Sequence, residues 1–306
     1  KHIITPEETR GEGRTYTIKA NQADSSFTIS NQSGLTQFPL KGKISYMENV
    51  AMLAYADFND DSVYVSTPSV LGKFPKKITP NYFSKGLNPF VFDSIRADVL
   101  YFDKTDSVLY AGNKTGLHLY KDRKKIQHRY ASFNGLSFTD IDKDGQGIFI
   151  ATTLGDGVFF FNKDTVLNLN EKSGLTDNMC TSLFMQNDST VWVSTLNGLN
   201  RILYNYSDGE LTGIKIRNFY RNDGLPSNYI NDIYIYEDSV WLATNIGLAV
   251  FNEKDLPSYS YSPKMVIEAF KANDVYRPVF SSVRINLDRN SNNIVIEFNC
   301  RTFKNA

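Results

Sequence analysis

Cysteine is nearly absent: Cys180 and Cys300 are the two in 306 residues. They lie far apart and lack the CxxC spacing of a metal knuckle or redox pair, so unpaired strand residues are expected, and the compartment cannot be read from them. A surplus of charge of either sign is also missing, because 33 Lys and Arg balance 33 Asp and Glu. That excludes the basic footprint a nucleic-acid binder needs to replace phosphate counterions, while neutral ligands such as sugars stay open. No apolar run approaches the ~18–20 residues that span a bilayer. An initiating Met and a signal pattern are both lacking, so a fragment or processed chain is expected. Histidine is scarce too: His2, His118 and His128 have no Cys, Ser or acidic motif around them. With no nucleophile elbow and no HExxH, no catalytic residue, metal ligand or cofactor is expected, although a triad assembled in space would leave no such trace.

What is present is aromatic and periodic. Aromatic content is 13%, with 18 Tyr and 21 Phe, residues that pack well on a pleated, half-buried surface. The phrase Asp-Ser-x-bulky recurs as Asp24-Ser25-Ser26-Phe27, Asp61-Ser62-Val63-Tyr64, Asp106-Ser107-Val108-Leu109 and Asp238-Ser239-Val240-Trp241. A stretched copy ends at Trp192 and a degenerate one at Phe149. Gly-Leu usually follows a short turn, at Gly34, Gly116, Gly198 and Gly247. Marking the bulky residue at 27, 64, 109, 149, 192 and 241 gives steps of 37, 45, 40, 43 and 49 residues. A period near 40–45, built from short strands and tight turns, predicts an all-β protein, a β-propeller. Six repeats are visible and six or seven blades are expected.

The fifth repeat divides into strands at Met179–Gln186, Val191–Thr195, Leu199–Tyr204 and Gly213–Tyr220. The sixth copies it at Tyr229–Tyr236, Val240–Thr244 and Gly247–Phe251. The bulky residue then falls on each second strand, between blades. The sixth repeat has no obvious fourth strand, so Lys1–Thr5 within an N-terminal segment, 1–14, is expected to close the ring, or upstream residues to add a seventh blade. The propeller is expected over 15–256 and a Pro- and Ser-rich linker over 257–264. New strands at Met265–Phe270, Val283–Leu287 and Asn293–Asn299 open a second module, 265–306, read as the first strands of a β-sandwich.

Gly174-Leu175-Thr176-Asp177-Asn178 followed by Val191-Trp192-Val193-Ser194-Thr195-Leu196-Asn197-Gly198-Leu199 resembles the two-component regulator propeller repeat. Gly224-Leu225-Pro226-Ser227-Asn228 with Trp241-Leu242-Ala243-Thr244-Asn245-Ile246-Gly247-Leu248 is closer still. Pro263–Ala306, with Asn292-Asn293-Ile294-Val295-Ile296-Glu297-Phe298, is similar to the start of the Ig-like Y_Y_Y domain that follows such propellers. The first four repeats depart from the pattern in lacking its Trp. The resemblance implies the periplasmic ligand-sensing region of a membrane-spanning sensor histidine kinase, mostly of Bacteroidetes. Some of these are hybrid two-component regulators that detect carbohydrate breakdown products. It also implies anchoring by a transmembrane helix outside this chain and a signal passed through the Ig-like module.

Several local features have plain readings. Asp140-Ile141-Asp142-Lys143-Asp144-Gly145 resembles a calcium loop, but Ala151 stands where its bidentate Glu belongs, so a hairpin turn is expected. Trp192 and Trp241 are expected in the core rather than as sugar platforms. The basic run Lys121–Lys125 is expected to be a solvated hairpin tip. Loops entering each first strand and following each second strand emerge on one face of a propeller. Those loops are read as carrying Lys114, Asp156, Asp177, Asn178, Asn197, Arg201, Asn228 and Asn245. Such amide, carboxylate and guanidinium groups suit a small polar ligand, an oligosaccharide among them, although each Asn also suits a turn. A homodimer is among the expected assemblies. Two competing functions remain: a propeller hydrolase or lyase, which would need paired carboxylates in the channel, and a scaffold that binds proteins alone.

Overall fold

The structure is a computed structural model and describes residues 15–21, 26–31, 34–39, 45–48, 54–57, 62–75, 90–127, 130–207, 210–236, 238–256, 264–273, 275–277, 287, 289–290 and 293–301. The chain divides into two compact units, Lys1–Leu256 and Pro257–Ala306. The first unit is a succession of antiparallel sheets, each built from consecutive strands. Sheet one holds β1 (Thr15–Asn21), β2 (Ser26–Asn31), β3 (Gly34–Pro39) and β4 (Ser45–Glu48). Sheet two holds β5 (Ala54–Asp57), β6 (Ser62–Ser66), β7 (Leu71–Pro75) and β8 (Phe90–Asp93). Sheet three holds β9 (Val99–Asp103), β10 (Val108–Asn113), β11 (Gly116–Lys121) and β12 (Lys124–Ile126). Sheet four holds β13 (Phe138–Lys143), β14 (Phe149–Thr153), β15 (Gly157–Phe161) and β16 (Val166–Leu169). Sheet five holds β17 (Cys180–Asn187), β18 (Thr190–Thr195), β19 (Gly198–Ser207) and β20 (Glu210–Phe219). Sheet six has three described strands, β21 (Ile230–Tyr236), β22 (Ser239–Thr244) and β23 (Gly247–Asn252). The proposed closing stretch Lys1–Thr5 lies outside the described residues.

First strands touch first strands along the series β5, β9, β13, β17 and β21. They are therefore innermost, and each sheet radiates outward as a blade. No blade can bury both faces alone, so the core lies between them. Tyr64 and Leu71 pack on Leu100, Leu109 and Ala111 of the next blade, and Tyr110 packs on Phe149 at 4.5 Å between ring centroids. Ile150, Val158 and Phe160 meet Val191, Val193 and Ile202. Trp192, Leu199 and Phe219 meet Ile233, Val240 and Leu242.

Two expectations are corrected here. Aligned on the turn after each second strand, the residues equivalent to Trp192 are Tyr64, Tyr110, Ile150 and Trp241. The marks at Leu109 and Phe149 sit one residue early and face the preceding blade, because neighbouring strand residues point to opposite faces. Secondly, Trp192 is fully buried, but Trp241 is 36% exposed. Its sheet face, with Leu248 and Val250, is left largely uncovered among the described residues.

Turn chemistry fits the readings of the basic run and the calcium-like stretch. Asp122 and Arg123 take positive φ at the tip between β11 and β12, within the basic run. Asp144 Oδ1 accepts from the backbone N–H groups of Gln146 and Ile148, so the calcium-like stretch is a hairpin turn. Cys180 is buried and unpaired, and burial pushes its thiol pKa up, with the Asp177 charge adding to the shift. The second unit is one sheet in the order β25-β24-β26, from β24 (Lys264–Ala272), β25 (Val275–Arg277) and β26 (Ile294–Arg301). The sequence reading missed β25, and its strand at 283–287 falls largely outside the described residues.

Candidate functional site

The loops that join one blade to the next repeat a single design. Glu171–Ser173 and Arg221–Asp223 are 3-10 turns, each closed by a left-handed glycine, Gly174 at φ 105° and Gly224 at φ 103°. Only glycine takes that backbone without strain. The next residue, Leu175 or Leu225, is buried and pins the loop to the core. An asparagine then fastens it. Asn178 Oδ1 accepts from the Glu171 N–H at 2.9 Å, and Asn228 Oδ1 accepts from the Arg221 N–H at 2.6 Å. Their backbone carbonyls accept from Gly157 and Gly198, tying each loop to the turn after the second strand of its blade. Both kinds of loop therefore share one face.

The structure brings three of the expected site residues together between blades five and six. Asn228 Nδ2 donates to Asn197 Oδ1 at 3.3 Å, and Asn245 Oδ1 accepts from Ser227 Oγ at 2.8 Å. Asn228 and Asn245 line a cavity of about 440 Å³ with Leu196, Arg221, Pro226, Ser227, Tyr229 and Ile246. The sequence reading missed Arg221 and Tyr229, which flank the Gly-Leu-Pro-Ser-Asn motif and could have been found by reading outward from it. Lys114, Asp156 and Asp177 occupy other loops of the same face. Lys114 and Asp156 are exposed, and Asp177 Oδ1 accepts from the Met179 N–H at 2.9 Å. Arg201 is not in a loop. It sits in β19, bridges to Glu253 at 3.1 Å and lies 5.4 Å from the Trp192 ring, inside the junction of blades five and six. Strand alternation turns it toward that neighbour, because its cross-strand partner is Trp192.

A second polar group lies on the innermost strands. Asp140, Ser182 and Asp232 occupy matching places beside β-bulges in β13, β17 and β21. Ser182 Oγ lies 2.6 Å from Asp232 Oδ1 and 3.0 Å from Asp140 Oδ2. The Ser182 hydroxyl can donate to one of the two carboxylates at a time, and the N–H groups of Ile233 and Leu183 donate to Asp232 and Asp140 as well. Burial, with the charge of Asp140, pushes Asp232 up to about 6.

The arrangement matches known folds. The structure is similar to a streptogramin B lyase (TM-score 0.58, 10% identity, 78% of this chain and 79% of that one). It is also similar to virginiamycin B lyase from Staphylococcus aureus (TM-score 0.55, 9% identity, 78% and 80%). The fold is a β-propeller. Similar structures include the extracellular domain of the hybrid two-component system BT4673 from B. thetaiotaomicron (TM-score 0.53, 15% identity, 83% of this chain). A second structure of that domain matches at a TM-score of 0.52. The chain spans about a third of its length, 33% and 34% in the two structures. No protein-family model matches the sequence, and no curated protein does. Among the described residues, no helix is long and apolar enough to cross a membrane.

Proposed function

We propose that this chain is the extracytoplasmic, ligand-sensing part of a two-component sensor. Its propeller takes a small polar ligand, an oligosaccharide foremost, on the face built by the blade-connecting loops. The observation that carries this reading is the open, amide-lined cavity between blades five and six, on a fold shared with a two-component extracellular domain. The three-stranded sheet of the second unit is read as the start of the Ig-like module that passes the signal on. Binding should raise stability by mass action, by about 2.7 kcal/mol when ligand stands at 100 times its Kd. The test is a thermal-shift and calorimetric screen of oligosaccharides. Sets of neutral and acidic sugars that leave melting unchanged would move the reading to a protein-binding scaffold.

The similarity to the streptogramin B and virginiamycin B lyases supports a second reading, an enzyme. Among its described residues the cavity lining holds no carboxylate, whereas hydrolysis of a glycosidic bond ordinarily uses two. Release of reducing ends or of unsaturated sugar products from any of these ligands would favour the enzyme over the sensor.

A further inference from the structure

The repeat supplies its own control for what the cavity binds. The loop from blade four to blade five and the loop from blade five to blade six share backbone, glycine cap, buried leucine and fastening asparagine. They differ at two positions that matter. In the first loop the opening residue is Glu171, whose Oε2 accepts from Asn178 Nδ2 at 2.9 Å, and the residue after the asparagine is Met179. Carboxylate and amide satisfy each other there. In the second loop the opening residue is Arg221, and the residue after the asparagine is Tyr229. A guanidinium has five donors and no acceptor, so it cannot take the amide proton of Asn228. That amide turns instead to Asn197, at a long 3.3 Å. Arg221 is exposed, and its guanidinium has no ion-pair partner among the described residues. Beside it, Tyr229 is 41% exposed. Among the described residues that line the cavity, Arg221 is also the one that carries a charge.

We propose that the cavity between blades five and six is an anion-selective subsite for a sugar ring bearing a carboxylate or sulfate, gripped by Arg221 and covered by Tyr229. This rests on the sensor reading and narrows its ligand to acidic saccharides. The guanidinium fork suits carboxylate and sulfate oxygens, which it can meet with two parallel hydrogen bonds. A phenol ring offers an apolar face to the C–H side of a sugar, and a hydroxyl at its rim. The amides of Asn228 and Asn245 stand where ring hydroxyls would need mixed donors and acceptors. In the preceding loop, Glu171 would repel the same ligand, so of these two loops only the one after blade five suits it.

The experiment is calorimetry of the intact chain with uronate-containing and sulfated oligosaccharides, set against neutral ones of equal length, at low and high salt. Acidic ligands are expected to bind at least ten-fold more tightly than neutral ones, with the advantage falling as salt rises. Arg221→Glu rebuilds the Glu–Asn pair of the preceding repeat, so it should keep or raise the melting temperature while removing acidic binding. Arg221→Lys should restore part of it, and Tyr229→Met should weaken acidic and neutral ligands alike. Equal binding of neutral ligands, unaffected by Arg221→Glu, would overturn the anion subsite and leave the carbohydrate-sensing reading standing. Binding of neither set would overturn both. Acidic binding that survives Arg221→Glu would place the anion contact elsewhere and also overturn the proposal.

Discussion

At the residue scale, equivalent side chains carry unequal loads. Trp192 is fully buried, stacks on Phe219 at 5.7 Å and donates its indole N–H to Gln186 Oε1 at 2.9 Å. Trp192→Ala is expected to cost about 3–5 kcal/mol in denaturant unfolding, because it leaves a large cavity and an unpaired amide. Trp241→Ala should cost less than half of that, and equal losses would show that the sixth blade's open face is covered in solution. Asp232 makes a pH prediction. Its folded pKa, about 6, lies above the ordinary carboxylate value of 3.8. The folded state therefore holds the proton more tightly. Its contribution is fully present below about pH 4 and is lost as pH rises through about 6, on the order of 2–3 kcal/mol. Asp232→Asn keeps an acceptor for the Ser182 hydroxyl and should flatten that part of the stability profile. An unchanged slope between pH 4 and 6 would mean that the proton resides elsewhere.

At the scale of elements, the blade-connecting loops are set by glycine and asparagine. Gly224 has open space where a Cβ would stand, so Gly224→Ala should cost about 1 kcal/mol from its positive φ alone. At Gly157 a Cβ would lie 2.2 Å from the carbonyl oxygen of Leu169, so Gly157→Ala should cost at least about 2 kcal/mol more. Equal melting temperatures for the two variants would refute that difference. Asn178 and Asn228 each bond the start of their own loop and present a carbonyl to the neighbouring turn. Turn-forming asparagine was legible in the sequence, and Asn228 and Asn245 also border the cavity. Arg201 was assigned to a loop although it falls within the expected strand Leu199–Tyr204, and only its pairing with Trp192 fixes which face it serves.

At the scale of the molecule, the blades are not equivalent. Blades four and five bury both faces in described partners, whereas the face of blade six with Trp241, Leu248 and Val250 stays exposed. Hydrogen exchange should therefore be slowest in β14, β15, β18 and β19 and faster in β22 and β23, since local opening follows the apolar contact each strand would lose. Uniform protection would indicate that a further sheet completes the ring.

The sequence by itself determined the propeller, the blade period and the order of strands in the last two blades. Alternation, Asp-Ser turns and Gly-Leu pairs are local signals that each repeat restates. Tertiary structure alone decided which side of each blade a bulky residue serves, because a one-residue offset reverses the face without altering the composition. It decided also that Trp241 is half-open, that Arg221, Tyr229 and Asn245 border one cavity, and that Asp140, Ser182 and Asp232 meet on neighbouring innermost strands. The three residues of that last cluster come from different repeats. Their meeting depends on how neighbouring blades stack, and no local spacing records it.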